Sequence, residues 1–422
     1  MSVLAVVVWL AVPVVLVLFD IAPALRAGTK RVADIDRFTP VEDDFEVLVP
    51  IYGHIRFLEN VEYLSHYGSK VVLCTTTAET AEFDSDIDAI ALANGFRVVR
   101  VEVPGRSPNG AQRSTTAPVR DRLIRDALLT VAATYVVCID ADTTTSDDLG
   151  RLVGSLKHHD FDVASVRLVP SNTTTLLGRL QAHEYRLAMR MRRLYPWLVS
   201  GACHVARTAV HRDVMAHHSL FFQGNDVELG LLADAMGFRV GHIVFEVPTT
   251  VPERVKPWWR QRVAWAGGEF RLYIVNLRLG RRHPFFFGYG ALVVFAGFPL
   301  RYLTLLAHPP VLAGVFATYV VAHYALGWAN RDRVLLLLPL YTLFSTLVLV
   351  PLAPYAYWRM ARAHHNYGLI RRRVPRRSMR QPGDVELEGY VVPAASILRS
   401  ALKVNPPQSN WFGSLYFPKI DI

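Results

Sequence analysis

Two carboxylates separated by one residue, Asp140 and Asp142, follow the apolar, β-branched run Tyr135–Ile139. A short apolar run that stops abruptly is typical of a strand buried on both faces of a parallel sheet. Ligands of open α/β sheets bind beyond the carboxyl ends of the strands, where side chains at i and i+2 can share a face. Their hard oxygens suit Mg²⁺ or Mn²⁺, which can hold a substrate diphosphate. The alternative is a turn that opens a loop with Thr143 and Asp147.

Two later segments also carry chemically active side chains. Asp226 and Glu228 lie at the start of a predicted helix over residues 227–236, where an acid can also serve as an N-cap or as a favourable first-turn charge. Residues 257–265 hold three tryptophans with two arginines and one glutamine. That composition also fits an amphipathic helix at a membrane interface, so neither segment identifies a function by itself.

Strand-like and helix-like segments alternate between residues 43 and 277. The strand-like segments are 45–52, 70–75, 96–103, 135–139, 162–169 and 237–247, and the helix-like ones include 78–93, 119–133 and 174–194. This alternation predicts an α/β fold, with a mostly parallel sheet flanked by helices and right-handed crossovers. No GxGxxG or GxxxxGK[ST] motif follows a strand, which argues against a dinucleotide-binding fold with that fingerprint and against a P-loop NTPase.

The composition indicates a membrane protein with a soluble part. The chain has 422 residues, is 51% hydrophobic, and concentrates its apolar excess in a few blocks. The net charge of +10 does not predict nucleic-acid binding, because the basic residues are spread out and cluster beside the apolar blocks. The three cysteines are far apart and lack metal-ligand spacing, which favours structural thiols in a reducing compartment.

Four apolar blocks are long enough to cross a bilayer: residues 3–19, 285–306, 311–328 and 334–357. The first resembles a signal peptide, but basic residues follow it rather than precede it, which favours a transmembrane helix with its carboxyl end in the cytoplasm. One span before and three after the soluble part would place the carboxyl terminus outside. The strongly basic stretch 371–377 favours the inside, so the topology stays open.

The order of the motifs resembles that of membrane-embedded family-2 (GT-A) glycosyltransferases, such as hyaluronan, chitooligosaccharide and capsular polysaccharide synthases. The matching segments over about residues 45–358 are Val49-Pro-Ile-Tyr52, the DxD-like Asp140-Ala-Asp142, Gly224-Asn-Asp226, Val251-Pro-Glu253 and the QxxRW-like Arg260-Gln-Arg-Val-Ala-Trp265. The resemblance implies five regions: an N-terminal transmembrane helix (1–25), a cytoplasmic GT-A domain (43–250), amphipathic interface helices (251–282), C-terminal transmembrane helices (285–358) and a basic and aromatic tail (371–422).

The chain departs from the family pattern in several places. Thr75-Thr-Thr77 stands where an acidic pair usually ends the second strand, and Arg120 stands where a lysine is common. Asn225 replaces the acid that usually precedes the base, and Ala264 replaces the arginine of QxxRW. Either Arg260 or Arg262 supplies that missing charge, or diphosphate binding is weaker, or the activity has changed.

The resemblance implies an inverting transfer of sugar from a UDP-sugar, with Mg²⁺ or Mn²⁺ held by Asp142 and Asp226 as general base. Residues implied to contact the donor are Pro50, Tyr52, Thr75, Arg120, Asp140, Gln261, Arg262 and Trp265. The implied acceptor is a growing polysaccharide, with export by a multi-pass protein of the cell membrane. Alternatives are transfer of one sugar to a lipid, or a nucleotide-binding scaffold subunit without turnover. Nucleic acid is not an expected partner.

Overall fold

The computed structural model describes residues 31–103, 119–220, 225–292, 309–326 and 332–363, together with the isolated positions 14 and 299. The strands in these ranges are β1 (Val32–Asp34), β2 (Phe45–Pro50), β3 (Val71–Thr76), β4 (Arg97–Val101), β5 (Tyr135–Ile139), β6 (Val163–Pro170), β7 (Cys203–Arg207) and β8 (Val240–Thr249). They form one sheet in the order β1-β8-β6-β7-β5-β2-β3-β4. Five of the strand pairs are parallel, and only β7 runs antiparallel to its two neighbours.

Helices follow most of the strands, as the alternation of patterns predicts. They are α1 (Val61–Ser65), α2 (Ala81–Asn94), α3 (Val119–Ala127), α4 (Leu149–His158), α5 (Leu176–Leu194), α6 (Thr208–His217), α7 (Asn225–Met236), α8 (Val255–Val275), α9 (Pro284–Leu292), α10 (Pro309–Leu326), α11 (Leu338–Phe344) and α12 (Val350–Ala363). A π-helical turn, Ser345–Leu349, joins the last two. The prediction of an α/β fold with a mostly parallel sheet flanked by helices is therefore confirmed.

Burial on both faces explains why the central strands have uninterrupted apolar sequences. Every residue of β2, β3 and β5 is buried. Alternate side chains of β5 point to opposite layers: Val137 packs beneath α1, α2 and α4, whereas Cys138 packs beneath α3, α6 and α7. The sheet thus separates two apolar layers. Because β2, β3 and β5 are parallel, their carboxyl ends meet at one edge, where polar side chains collect.

The sequence analysis missed β1 and β7. Residues 198–202 form no helix or strand, as their turn-prone sequence indicates, but β7 begins directly after them. Strand β7 pairs with both β5 and β6, and Cys138 on β5 faces His204 on β7. The segment Cys203–Arg207 is short and contains His204 and Arg207, so its pattern does not stand out as a strand.

Close packing of α8 against α12 joins the α/β part to the C-terminal helices. Helix α8 has 21 residues and is a single helix, where the sequence analysis expects several interface helices over residues 251–282. At Gly267 a Cβ atom would lie 2.5 Å from Met360 Cε and 2.9 Å from Ala356 Cβ. The absence of a side chain at this glycine therefore permits the two helices to approach closely.

One helix in the described ranges, Leu338–Arg362, has the length and apolar composition needed to cross a membrane. Such a helix is also found as a core helix of soluble proteins. A shorter apolar helix covers Ala313–Ala325. The predicted span 3–19, most of the span 285–306, and the tail 371–422 lie outside the described residues, so those interpretations stay predictions.

A glycine in α4 provides a test of this packing. A Cβ atom on Gly154 would lie 1.8 Å from the carbonyl oxygen of Pro40, a backbone atom that cannot rotate away. We expect Gly154→Ala to lower the free energy of unfolding by about 1–3 kcal/mol or more, because the overlap must be relieved by backbone shifts. Thermal unfolding of the purified chain measures the effect.

Gly288→Ala in α9 is the matched control, since nothing lies within 4 Å of a Cβ atom there. We expect it to be neutral or to stabilise by up to about 1 kcal/mol, because alanine is the better helix former. Equal melting temperatures for the two variants would contradict the close approach of α4 to Pro40.

Candidate active site

A tight turn at the end of β5 presents Asp140 and Asp142. The Thr143 N–H donates to the Asp140 carbonyl at 3.1 Å, and the Asn60 amide donates to the Asp140 and Thr143 carbonyls at 3.1 and 2.6 Å. The Asp140 N–H donates to the Ala202 carbonyl at 3.0 Å. Asp140 is half-buried and Asp142 is exposed. The backbone bonds fix both carboxylates at the edge of the sheet, where the strand passes directly into a turn, and their binding of a metal stays a prediction.

The Arg120 side chain connects Asp140 to the start of β7. Its Nε lies 2.8 Å from Asp140 Oδ1, and its Nη2 donates to the carbonyl of Gly201. Its Nη1 also lies 3.4 Å from Asp121 Oδ1. Burial lowers the pKa of the guanidinium, but the Asp140 and Asp121 carboxylates outweigh burial and raise it above its usual value. Arg120 is therefore a fixed positive charge at this edge of the sheet.

Gly201 brings the third predicted carboxylate, Asp226, to the same place. Its N–H donates to Asp226 Oδ2 at 2.7 Å, while its carbonyl accepts from Arg120. A Cβ atom at Gly201 would lie 3.5 Å from Asp226 Oδ2 and 3.7 Å from Arg120 Cζ. Asp226 lies in the first turn of α7, and the Gly201 N–H bonds to its Oδ2 and not to its Oδ1. The structure thus gathers Arg120, Asp140 and Asp226 around one glycine that the sequence analysis did not single out.

The negative charges of this group act on one another. Burial raises the pKa of Asp140, Arg120 opposes that shift, and Asp142 and Asp226 add to it. Burial likewise raises the pKa of Asp121, with His218 and Arg120 opposing it. Several acids crowded around one arginine form a site that a further cation would stabilise.

A fully buried ion pair supports the helix that carries Asp226. Arg271 on α8 lies 2.5 Å from Glu228 Oε2 on α7, and both side chains are completely buried. Ser219 donates to Glu228 from its N–H and its hydroxyl, at 3.2 and 2.6 Å. Burial alone would raise the pKa of Glu228, but Arg271, His218 and Ser219 together hold it below its usual value. Glu228, expected only as a first-turn charge, thus links α7 to α8.

The ends of β2 and β3 hold the residues expected to bind the nucleotide. Pro50 is buried at the end of β2, and Tyr52 is partly exposed just beyond it. Thr75 is fully buried, and its hydroxyl has no hydrogen-bond partner among the described residues. Glu79 bridges the two strand ends by accepting from Thr76 Oγ1 at 2.5 Å and from Gly53 N–H at 3.0 Å. The sequence analysis noted the missing acidic pair but did not find this carboxylate three residues further on.

The predicted donor-binding residues on helix α8 differ in their burial and in their partners. Arg262 is buried and lies 2.6 Å from Glu184 Oε2, and its guanidinium lies 4.5 Å from the centre of the Trp265 ring. Trp265 is 40% exposed, so one part of the ring is open to a ligand. The side-chain amide oxygen of Gln261, Oε1, is buried and has no hydrogen-bond partner in the described part of the chain. Arg262 is thus already neutralised by a carboxylate.

Glu184 extends the ion pair to the C-terminal helices. Tyr341 donates to Glu184 Oε2 at 2.8 Å and accepts from Trp258 Nε1 at 2.9 Å. Tyr341 thus connects the Trp258 indole to the Glu184 carboxylate. Residues on α5, α8 and α11 are therefore linked by one polar network.

The arrangement has the parts required for transfer to a hydroxyl group. Asp142 offers exposed carboxylate oxygens, and the second oxygen of Asp140 is not used by Arg120, so a hard divalent cation fits this donor set. Asp226 is a carboxylate that could accept a proton from an acceptor hydroxyl. Arg120 adds positive charge where a phosphate group would develop negative charge.

The Glu228–Arg271 pair gives a testable consequence for stability. We expect Arg271→Met to lower the free energy of unfolding by about 3–5 kcal/mol, because it leaves the Glu228 charge buried without its partner. Thermal or denaturant unfolding of the purified protein measures this loss.

The double variant Arg271→Met, Glu228→Gln serves as the control, because it removes the unpaired charge. We expect it to regain a large part of the lost stability. A double variant no more stable than Arg271→Met would show that shape, rather than charge pairing, dominates this contact.

Comparison with known proteins identifies a family whose model covers more than half of the chain. Residues 135–360 match the model of the glycosyl transferase family group 2. Over 160 residues the chain is 28% identical to an N-acetylglucosaminyltransferase of Rhizobium sp. (strain N33), a match that covers 34% of this chain and 36% of that protein. The match thus spans about a third of the length of that curated relative.

Several solved structures resemble the chain more distantly. The mannosyltransferase PcManGT from Pyrobaculum calidifontis, in complex with GDP-Man and Mn²⁺, aligns with a TM-score of 0.44 at 17% identity over 85% of this chain and 97% of its own. TarS of S. aureus aligns with a TM-score of 0.37 at 14% identity over 77% of this chain and 55% of its own. Glucosyl-3-phosphoglycerate synthase from Mycobacterium tuberculosis, with Mn²⁺, UDP and phosphoglyceric acid, aligns with a TM-score of 0.34 at 14% identity, covering 56% of this chain and 84% of its own.

The family match covers Asp140, Asp142 and Asp226 but begins after Arg120. It begins at β5, which precedes Asp140 and Asp142, and it continues through Asp226 and α8. Because the matched segment comprises more than half of the chain, this protein belongs to glycosyl transferase family group 2.

Proposed function

We propose that the protein is an inverting, metal-dependent glycosyltransferase that moves a sugar from a UDP-sugar to a growing polysaccharide. The observation that carries this proposal is the position of Gly201 between two chemically distinct groups. Its N–H holds Asp226, and its carbonyl holds the Arg120 side chain that binds Asp140. The proposed base and the proposed diphosphate-binding edge would therefore meet at one residue, as direct displacement at an anomeric carbon requires.

Asp142 would hold Mg²⁺ or Mn²⁺, with Asp140 ordering the site or contacting the ribose. Asp142 is exposed at the turn, and Asp140 keeps one carboxylate oxygen free of Arg120. A bound divalent cation supplies charge stabilisation for the leaving diphosphate. Arg120 adds a fixed guanidinium on the same side. Burial raises the pKa of Asp140 even with Arg120 beside it, so a bound cation would stabilise the charged carboxylate.

Asp226 would remove the proton from the acceptor hydroxyl. Its Oδ2 is oriented by the Gly201 N–H, which holds the carboxylate in one rotamer. The Glu228–Arg271 pair, two residues along α7, fixes the helix that carries it. Trp265 offers an exposed ring face for stacking on a sugar, and Gln261 on the same helix would help to close over the donor.

Pro50, Tyr52 and Thr75 would line the nucleotide, because all three lie at the carboxyl ends of β2 and β3. Glu79 joins these two ends and would fix their spacing. Arg262 is a less favourable partner for the diphosphate than Arg120, because Glu184 already neutralises the Arg262 charge.

A membrane location with a cytoplasmic catalytic domain and export of the product belongs to the same proposal. It is supported by the apolar helix Leu338–Arg362 and by the link from Arg262 through Glu184 to Tyr341. A lipid acceptor for one sugar is the second candidate, because Trp265 and α12 would serve a lipid-borne acceptor equally well. A non-catalytic scaffold would need no general base.

The proposed base gives the first test of activity. We expect Asp226→Asn to lower kcat by a factor of about 10²–10⁴, because the amide cannot accept the hydroxyl proton. The measurement is nucleotide release by the full chain in detergent with Mn²⁺ across a panel of UDP-sugars, with GDP-sugars for comparison.

Asp234→Asn is the matched control in the same helix, since Asp234 pairs with Arg31 rather than with Gly201. We expect it to keep nearly full activity. If Asp226→Asn turns over as fast as wild type, Asp226 is excluded as the base. If wild type binds UDP without any turnover, the scaffold function is favoured. The size of the product, a ladder of polymer or one glycolipid, separates the two acceptors.

The metal assignment gives a separate test. We expect chelation with EDTA to abolish turnover and Asp142→Asn to raise the Mn²⁺ concentration needed for half-maximal rate by about tenfold or more, which corresponds to about 1.4 kcal/mol. Rates measured against Mn²⁺ concentration provide the comparison.

Asp147→Asn is the control, because Asp147 lies in the same loop but pairs with Arg151. We expect its metal dependence to match that of wild type. An unchanged Mn²⁺ requirement in Asp142→Asn would remove Asp142 as the metal ligand.

A further inference from the structure

Beneath the candidate active site lies a buried group with a different chemistry, which we name the thiol–imidazole cluster: Cys138, His204 and His211. Cys138 on β5 and His204 on β7 are direct partners in the antiparallel register, so they project to the same face of the sheet. His211 lies in α6, which covers that face. One ligand atom from each residue lies within 4.8 Å of the other two.

Two nitrogens of the thiol–imidazole cluster lack a partner. His204 Nδ1 lies 3.1 Å from the Ser200 carbonyl, which can only accept, so Nδ1 carries the proton and Nε2 presents a lone pair. Neither His204 Nε2 nor His211 Nε2 has a hydrogen-bond partner among the described residues, although both side chains are almost fully buried. A buried polar group left unpaired costs about 1–3 kcal/mol. His211 meets the Cys138 thiol through Nδ1, so His204 Nε2 is the unpaired lone pair that a ligand at this cluster would fill.

We propose that the thiol–imidazole cluster binds Zn²⁺. One sulfur and two imidazole nitrogens are the donor types that zinc prefers, and they are too soft for the Mg²⁺ or Mn²⁺ expected at Asp142. Cys138 Sγ and His211 Nδ1 are 4.0 Å apart. Ligands bound to zinc at about 2.0–2.3 Å lie about 3.5 Å from each other, so small rotations of the two rings complete the site.

The fourth zinc position would face a narrow cleft. His204 and His211 line this cleft together with Asp121 and Asp226. Asp121 is buried, and its Oδ2 has no hydrogen-bond partner in the described part of the chain. A water molecule bound to zinc, or Asp121 itself, would fill the position and satisfy this oxygen.

Charge balance is compatible with a dication here. Arg120 is the positive charge nearby, and its guanidinium is already engaged by Asp140 and Asp121. Burial raises the pKa of the Cys138 thiol to about 12, so the cysteine is neutral without metal, but coordination removes its proton. The thiolate and Asp121 together would then offset the two charges of the ion.

The zinc would be structural and would take no direct part in the transfer reaction. It would join β5, β7 and α6. Its ligand Cys138 lies two residues before Asp140, and its ligand His204 lies three residues after Gly201. It would therefore fix the edge of the sheet on which the proposed reaction depends, while using none of the residues that hold the proposed Mg²⁺ or Mn²⁺.

The test is metal analysis of the full chain purified in detergent without chelators. We expect about one equivalent of zinc per chain by elemental analysis. After chelation and loading with Co²⁺, we expect a thiolate-to-cobalt charge-transfer band in the near ultraviolet together with visible bands of tetrahedral cobalt. Both signals should be lost in Cys138→Ser and strongly reduced in His211→Ala.

Two variants serve as controls. Cys74→Ser changes another fully buried thiol, which donates to the Val72 carbonyl, and should keep the zinc and the cobalt bands. Asp142→Asn should raise the Mn²⁺ concentration needed for activity but keep the zinc. Wild-type protein without zinc and without a charge-transfer band would overturn the proposal even if a variant failed to fold. Zinc retained by a folded Cys138→Ser protein would overturn it as well.

Discussion

The structure of the candidate site depends on one guanidinium that is shared by three elements. Arg120 on α3 binds Asp140 at the end of β5 and the Gly201 carbonyl before β7. Without a cation at this position, Asp140, Asp121 and Asp226 would crowd three negative charges at the edge of an apolar sheet. Because Arg120 is largely buried, its charge is poorly screened and its position is set by packing. The arginine thus determines how closely the acidic groups can approach.

A second buried charge pair sets the orientation of α7 relative to α8. The Glu228–Arg271 pair lies entirely inside the protein, where ion pairing compensates a large desolvation cost. Removing one partner of such a pair is strongly destabilising, whereas the net gain of the pair over apolar side chains of similar size is small. It joins the helix that begins at Asp226 to the helix that presents Trp265, and so it fixes the proposed base relative to the proposed sugar-stacking ring.

Much of the fold could be predicted because its signals are local. The buried parallel strands have uninterrupted β-branched runs, and β5 has the boundaries that its sequence indicates. Strand β7 was missed because its pairing is antiparallel and long-range, and Cys203–Arg207 carries polar residues that only the surrounding layers make buried. Residues 255–275 form the single helix α8 although they include the pair Gly267-Gly268, because Pro257 lies in the first turn and Gly267 packs closely against α12.

The sequence by itself determined the chemical character of the site, because Asp140, Asp142 and Asp226 occur at element ends that local patterns reveal. The roles of the individual residues stay predictions. Only the tertiary structure decided which groups meet: Gly201 touches both Arg120 and Asp226, and Glu184 neutralises Arg262. The thiol–imidazole cluster also arises only in three dimensions, since its members are distant in the chain. Periodicity and spacing describe neighbours along one element, whereas these contacts depend on the antiparallel insertion of β7 and on the helices that pack over it.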